Sequence, residues 1–143
     1  MIQIFTAETK EQLSDCYRVR REVFVGEQGV PASIEVDNLE HEAVHFVVYD
    51  DGKAIGAARM RLSENTAKAE RVCILSQLRG SGAGRKLMRF MEEKASELGA
   101  EIMKLNAQTH AAPFYTAVGY SIVSEEPFMD AGIEHVAMEK KLQ

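Results

Sequence analysis

The apolar residues change period several times along this chain, and each change marks an element. Residues 2–6 are apolar enough to read as a strand. Thr9, followed three residues later by Gln12, has the form of a capping box that opens a helix. Leu13, Cys16 and Tyr17, then Val23 and Phe24, recur at three- and four-residue spacing, while Arg18, Arg21 and Glu22 fall on the other side. Over residues 26–42 that order dissolves into Gly26, Gly29, Pro31 and scattered carboxylates, a long connection of the kind that often carries function. Val44, Phe46 and Val48 then alternate with His45, Val47 and Tyr49, and Asp50-Asp51-Gly52 signals a tight turn before the apolar residues 54–62. Residues 67–75 alternate again after Ser63-Glu64-Asn65, so three consecutive strands should form an antiparallel meander whose last member runs into a glycine-rich loop.

Beyond that loop, Leu87, Met91, Ala95 and Leu98 form one stripe, with Arg85, Arg89, Glu92 and Glu93 elsewhere and Gly99 placed as a helix stop. Residues 102–108 read as a strand, 111–118 as a short helix ended by Gly119, and 120–124 and 136–140 as final strands. The expected fold class is α/β (α+β): a mixed central sheet of about six to seven strands flanked by helices. No repeat, low-complexity tract or linker divides the chain, so residues 1–143 read as a single domain.

Composition narrows the function. Hydrophobic residues make up 45% and charged residues 27% of the 143, a profile that supports a real core. The formal charge of -5 comes without any basic cluster that would neutralise a run of phosphates, which argues against nucleic acid as a partner. Cys16 and Cys73 lie far apart with no C-x-x-C spacing, as expected of a cytoplasmic chain, and no metal is expected in the site. No apolar run approaches the roughly 20 residues needed to span a bilayer, and Met1-Ile2-Gln3-Ile4-Phe5 lacks a basic region followed by a long apolar stretch, so neither membrane insertion nor export is expected.

The chemistry concentrates in Arg79-Gly80-Ser81-Gly82-Ala83-Gly84, between an apolar strand and an amphipathic helix. A helix N-terminus leaves its first amides unpaired and carries a partial positive charge, so it attracts phosphate oxygens. Alternating glycines let the backbone approach an anion, and Arg79 and Arg85 add flanking charge. Two familiar glycine loops do not fit. A P-loop needs Lys and Ser or Thr after its last glycine, where Arg85-Lys86-Leu87 stand, and a dinucleotide fingerprint starting at Gly80 needs a small residue at Arg85.

The loop does resemble the acyl-CoA signature [QR]-x-x-G-x-[GA] of the GNAT superfamily of N-acetyltransferases, matched by Arg79-x-x-Gly82-x-Gly84. Ala112-Pro113-Phe114-Tyr115-Thr116-Ala117-Val118-Gly119-Tyr120, with Ala111 before it, looks like that superfamily's A-x-x-F-Y-x-x-x-G-[FY] element. The residues from Val23 to Pro31 look like a bacterial branch called YjcF-like or ElaA-like. The resemblance implies a GNAT fold and transfer of an acetyl group from acetyl-CoA to an amine acceptor, a small molecule or a protein, by direct attack in a ternary complex. A homodimer is compatible with it.

By the same resemblance the fourth and fifth strands part, and the pantetheine arm lies between them along Cys73 and Ile74. Their backbone would polarise the thioester carbonyl, in the manner of an oxyanion hole. Arg79, Gly80, Ser81, Gly82, Ala83, Gly84 and Arg85 would hold the pyrophosphate. Phe114 would also line the coenzyme, and Gln108 stands where many relatives carry an asparagine near it. Tyr115 is the expected acid for the departing thiolate. Cys73 could in principle accept the acetyl group, but a small buried apolar role is the commoner one.

The acceptor side is not legible. Glu27, Glu35, Asp37, Glu40 and His41 crowd one loop and read mostly as surface groups; His45 and Glu70 could reach inward, and His110 reads as a cap for the short helix. A non-catalytic acyl-CoA-binding module is the alternative.

Overall fold

The structure, a computed structural model, describes residues 1–142. The expected elements form, with informative differences at their ends. Strand β1 (Ile2–Thr6) leads to helix α1 (Lys10–Arg20), opened by the capping box: Thr9 accepts from the Gln12 amide at 3.1 Å while the Gln12 side chain accepts from the Thr9 amide at 3.1 Å. Such a cap is worth about 1 kcal/mol. From Arg21–Glu27 the backbone widens into a π-helix, which shifts the buried stripe and brings Val23 inward. A single turn, α2 (Ala32–Glu35), follows.

Strands β2 (Val44–Asp50), β3 (Lys53–Ser63) and β4 (Thr66–Ile74) make the expected antiparallel meander. A 3-10 turn, Ser76–Leu78, separates β4 from the glycine loop, so the strand does not run directly into it. Helix α3 (Ala83–Glu97) buries Leu87, Met91 and Ala95 as expected; Leu98 caps the helix and is exposed instead of joining the stripe. Strand β5 (Ile102–Gln108) and helix α4 (Ala112–Ala117) match the pattern. The chain then makes β6 (Ser121–Ile122), the short strand β7 (Phe128–Asp130) that alternation does not reveal, and β8 (Ile133–Lys141).

The eight strands of the described residues belong to one sheet of order β1-β2-β3-β4-β5-β8-β6, with β7 paired to β8. Among the described residues only β4 and β5 are parallel, as a strand–helix–strand crossover through α3 requires. Their pairing ends at Ala69 opposite Leu105, and beyond it the strands part. Just there β4 carries a bulge, in which Arg71 adopts a positive φ of 55° and the register against β3 slips between Ala57 and Arg59. The core under the sheet is formed by Phe46, Met60, Leu87, Met91, Met103 and Met138.

Candidate active site

The parting of β4 and β5 opens a cavity of about 690 Å³ that runs from the glycine loop past Cys73, Ile74, Ala107 and Tyr115 to Ile34 and Ile133. At the loop end the backbone makes the site. Gly80 and Gly82 hold φ of 85° and 90°, a left-handed region that L side chains rarely adopt. The first bond within α3 runs from the Lys86 amide to the Gly82 carbonyl, so the amides before it project from the helix end. Gly84 is needed for a different reason: a Cβ there would stand 3.2 Å from the Phe114 ring, which closes over the helix start.

The two arginines of this end differ. Arg79 donates through Nε to the Ile74 carbonyl at 3.1 Å and through both terminal nitrogens to Glu27, at 2.6 and 2.8 Å. It therefore ties the end of the π-helix to the end of β4, and its bonds hold the Glu27 carboxyl below its ordinary range. Arg85, exposed on the first turn of α3, makes no ion pair among the described residues. Gln108 donates to the Gln28 side chain at 2.8 Å, so Glu27 and Gln28 each reach across to one side of the cavity. His110 does not cap α4, which has no side-chain cap; it lines the cavity.

Midway along, the Leu75 amide donates to the Ile55 carbonyl, so by strand alternation the Cys73 backbone faces β3 and the Ile74 N–H points into the parted space. The Cys73 thiol is buried, and burial pushes it up to about 12, leaving no thiolate at neutral pH. Tyr115 packs edge-on against Phe114 and Tyr120, with centroids 5.0 and 5.9 Å away. Burial pushes its phenol well above the ordinary tyrosine range, so it is protonated at neutral pH.

The loop over residues 26–42 departs most from expectation. Glu27, His41 and Glu42 are surface groups as expected, but Glu35, Asp37 and Glu40 are not, because two buried arginines gather them. Arg20, fully buried, bonds Glu35 Oε2 at 2.8 Å, the Glu35 carbonyl at 3.0 Å and both oxygens of Glu40 at 2.9 and 2.7 Å. Arg59 grips Asp37 with two nitrogens at 2.7 and 2.9 Å and also contacts Glu40 and Glu70. The Arg59 bonds hold Asp37 far below the usual carboxylate range. Burial would raise Glu40, but the bonds from Arg20 and Arg59 outweigh it and lower its carboxyl to about 2. His45 donates through Nε2 to the Glu40 carbonyl at 2.8 Å as part of the same cluster, outside the cavity.

Comparison with known proteins decides the family. A model of the acetyltransferase (GNAT) domain matches residues 5–142. The chain belongs to the GNAT acetyltransferase family. It is 48% identical over 134 residues, 94% of this chain and 96% of the relative, to the uncharacterized N-acetyltransferase YjcF of Bacillus subtilis. Its fold superposes on an acyl-CoA N-acyltransferase from Pseudomonas aeruginosa with a TM-score of 0.83 at 28% identity, and on Escherichia coli ElaA with a TM-score of 0.81 at 26% identity, each over 98% of both chains. The chain is thus an acyl-CoA-dependent N-acetyltransferase, and the sensing-module alternative is not favoured.

Within this GNAT fold one cavity residue escapes the sequence pattern altogether. His135 lines the cavity beside Ile133, opposite Gln108 on β5 and Phe128 on β7. The expected strand started one residue after it; the turn at Asp130-Ala131-Gly132, with positive φ at its last two residues, is the signal that would have moved that start back.

Proposed function

We propose that the chain transfers the acetyl group of acetyl-CoA directly to an amine, with the donor in the channel between β4 and β5 and the acceptor entering from the side of Ile34 and Ile133. The observation that carries this is the cavity itself: it is continuous from a set of free helix-end amides, suited to a pyrophosphate, to a protonated phenol, suited to a leaving thiolate. The residues fit the group they would hold. Gly80, Gly82, Gly84 and Arg85 supply amides and charge for phosphate oxygens, Ser81 and Ala83 shape the loop with amides bonded to the Leu78 carbonyl and the Ser81 hydroxyl, and Phe114 walls the adenosine side.

Arg79 shapes this end more than it charges it, because Glu27 and the Ile74 carbonyl occupy its donors. The Ile74 N–H is the donor placed for the thioester carbonyl, with Cys73 contributing its small side chain to the wall. Gln108 holds the far wall through Gln28. Tyr115 gives its proton to the coenzyme A thiolate. A thiol held up to about 12 does not support an acetyl-cysteine relay, which leaves direct attack.

Titration calorimetry with acetyl-CoA, followed by thiol release in the presence of a broad panel of amines, tests the reading. Saturable binding with coenzyme A release for at least one amine is expected. No binding of acetyl-CoA would sink it.

A further inference from the structure

Direct attack needs a neutral amine, and an alkylamine arrives as an ammonium, so a proton acceptor must stand at the acceptor end. Three carboxylates that line the cavity are poor choices, because each is already held by a guanidinium: Glu27 by Arg79, Glu35 by Arg20 and Arg71, Glu70 by Arg59 and Arg61. Lys68 and Arg85 are cations. Asp130, on the turn before β8, and His110, on the 3-10 turn after β5, line the cavity but are exposed to water.

His135 differs from all of them. It is 9% exposed and lines the cavity. Its Nδ1 lies 2.7 Å from the Ile133 carbonyl, and a carbonyl can only accept, so the ring proton is on Nδ1 and the lone pair on Nε2. Phe128 stacks on the ring at 6.1 Å with planes 20° apart, which fixes its orientation. Nε2 has no hydrogen-bond partner among the described residues, yet the one buried unpartnered side-chain polar atom among them is Nδ1 of His45. Nε2 of His135 is therefore reached by solvent, on a side chain that lines the cavity.

Resting on the acetyl-transfer reading above, we propose that His135 is the general base, accepting through Nε2 the proton of the acceptor ammonium. The lone pair so freed forms the C–N bond to the thioester carbon; the C–S bond then breaks, and the thiolate takes the proton of Tyr115. The surplus proton on the amide nitrogen returns to the Tyr115 oxygen, and His135 releases its proton to water. The net products are an acetamide, coenzyme A thiol and one proton.

The test uses the whole protein, acetyl-CoA and two probe amines, 2-phenylethylamine, protonated at neutral pH, and aniline, neutral there. An arginine-neutralised wall that includes Phe24, Val30 and Ile34 suits both. His135→Asn keeps a donor for the Ile133 carbonyl and removes the base; His135→Gln is the second variant should the first fail to fold. Either should lower kcat/KM for 2-phenylethylamine at neutral pH by about 100-fold, lose less as pH rises and the free amine accumulates, and leave aniline turnover and acetyl-CoA affinity within about twofold of wild type. Equal losses on both amines, or no loss on either, overturn the base assignment while leaving acetyl transfer intact. A wild-type protein that binds acetyl-CoA but turns over no amine overturns both.

Discussion

The two ends of the cavity are built on opposite principles. The proposed donor end is backbone: glycines, free amides and a helix start that lie within the consecutive residues Gly80 to Gly84. The wall on the proposed acceptor side is side chain: Arg20 from α1 and Arg59 from β3 gather Glu35, Asp37 and Glu40 from residues 26–42 and Glu70 from β4. A backbone site tolerates change around it and is spoiled only where a side chain intrudes. A wall of buried ion pairs fails when any one member is removed, because its partner is left charged and desolvated.

The sharpest way to break this contrast is Arg20→Leu. Removing one partner of a buried pair costs roughly 3–5 kcal/mol, and Arg20 serves two carboxylates, so urea denaturation should show a loss of that size with the glycine loop untouched. Acid attacks the same wall by another route. The Glu40 carboxyl is lowered from 4.5 to about 2 in the folded chain, so its contribution is complete above pH 4.5 and disappears as pH falls through about 2. Denaturation midpoints should fall steeply across that window, and a flat profile there would remove the ion pairs from any part in stability.

Effects on catalysis without loss of fold come next. Tyr115→Phe should reduce kcat by about 100-fold in the thiol-release assay while calorimetry gives an unchanged acetyl-CoA affinity, since the phenol makes no hydrogen bond among the described residues. Gly82→Ala acts on the donor end alone. A non-glycine residue in the left-handed region costs about 1–2 kcal/mol, and at φ 90° the loop should relax away from its amide-presenting shape. Acetyl-CoA should bind about tenfold more weakly with the amine KM unmoved.

The same contrast explains what could be read from the chain. The donor loop, the capping box, the meander and the short Phe114-Tyr115 helix are local: the residues that define each are neighbours in sequence, and their period or spacing carries the physics. Glu35, Asp37 and Glu40 looked solvated because nothing local announces that Arg20, on what reads as an ordinary helix, is fully buried. A π-helix beginning at Arg21 adds to this, since its wider turn breaks the 3.6-residue count on which the buried face was read. His135 was hidden for a different reason: it sits at the first turns of a strand whose alternation becomes clear only from Val136 onward, and its meaning depends on Phe128 and Ile133 closing around it.

Glu27 and Arg79 form the seam between the two ends, and they offer the finest test. Both side chains are more than two-fifths exposed, 41% and 44%, so their ion pair is worth at most about 1 kcal/mol to the fold despite its short distances. Glu27 nevertheless holds a guanidinium at the loop expected to take the pyrophosphate, and its own charge opposes a polyanion entering there. Glu27→Gln should therefore change stability by less than about 1 kcal/mol and tighten acetyl-CoA binding a little, with a steeper loss of affinity as salt is raised, because a freed Arg79 adds a screenable charge to a site otherwise made of amides. Weaker binding with an unchanged salt slope would mean that Arg79 matters only as a strut to the Ile74 carbonyl, and that the donor end is backbone throughout.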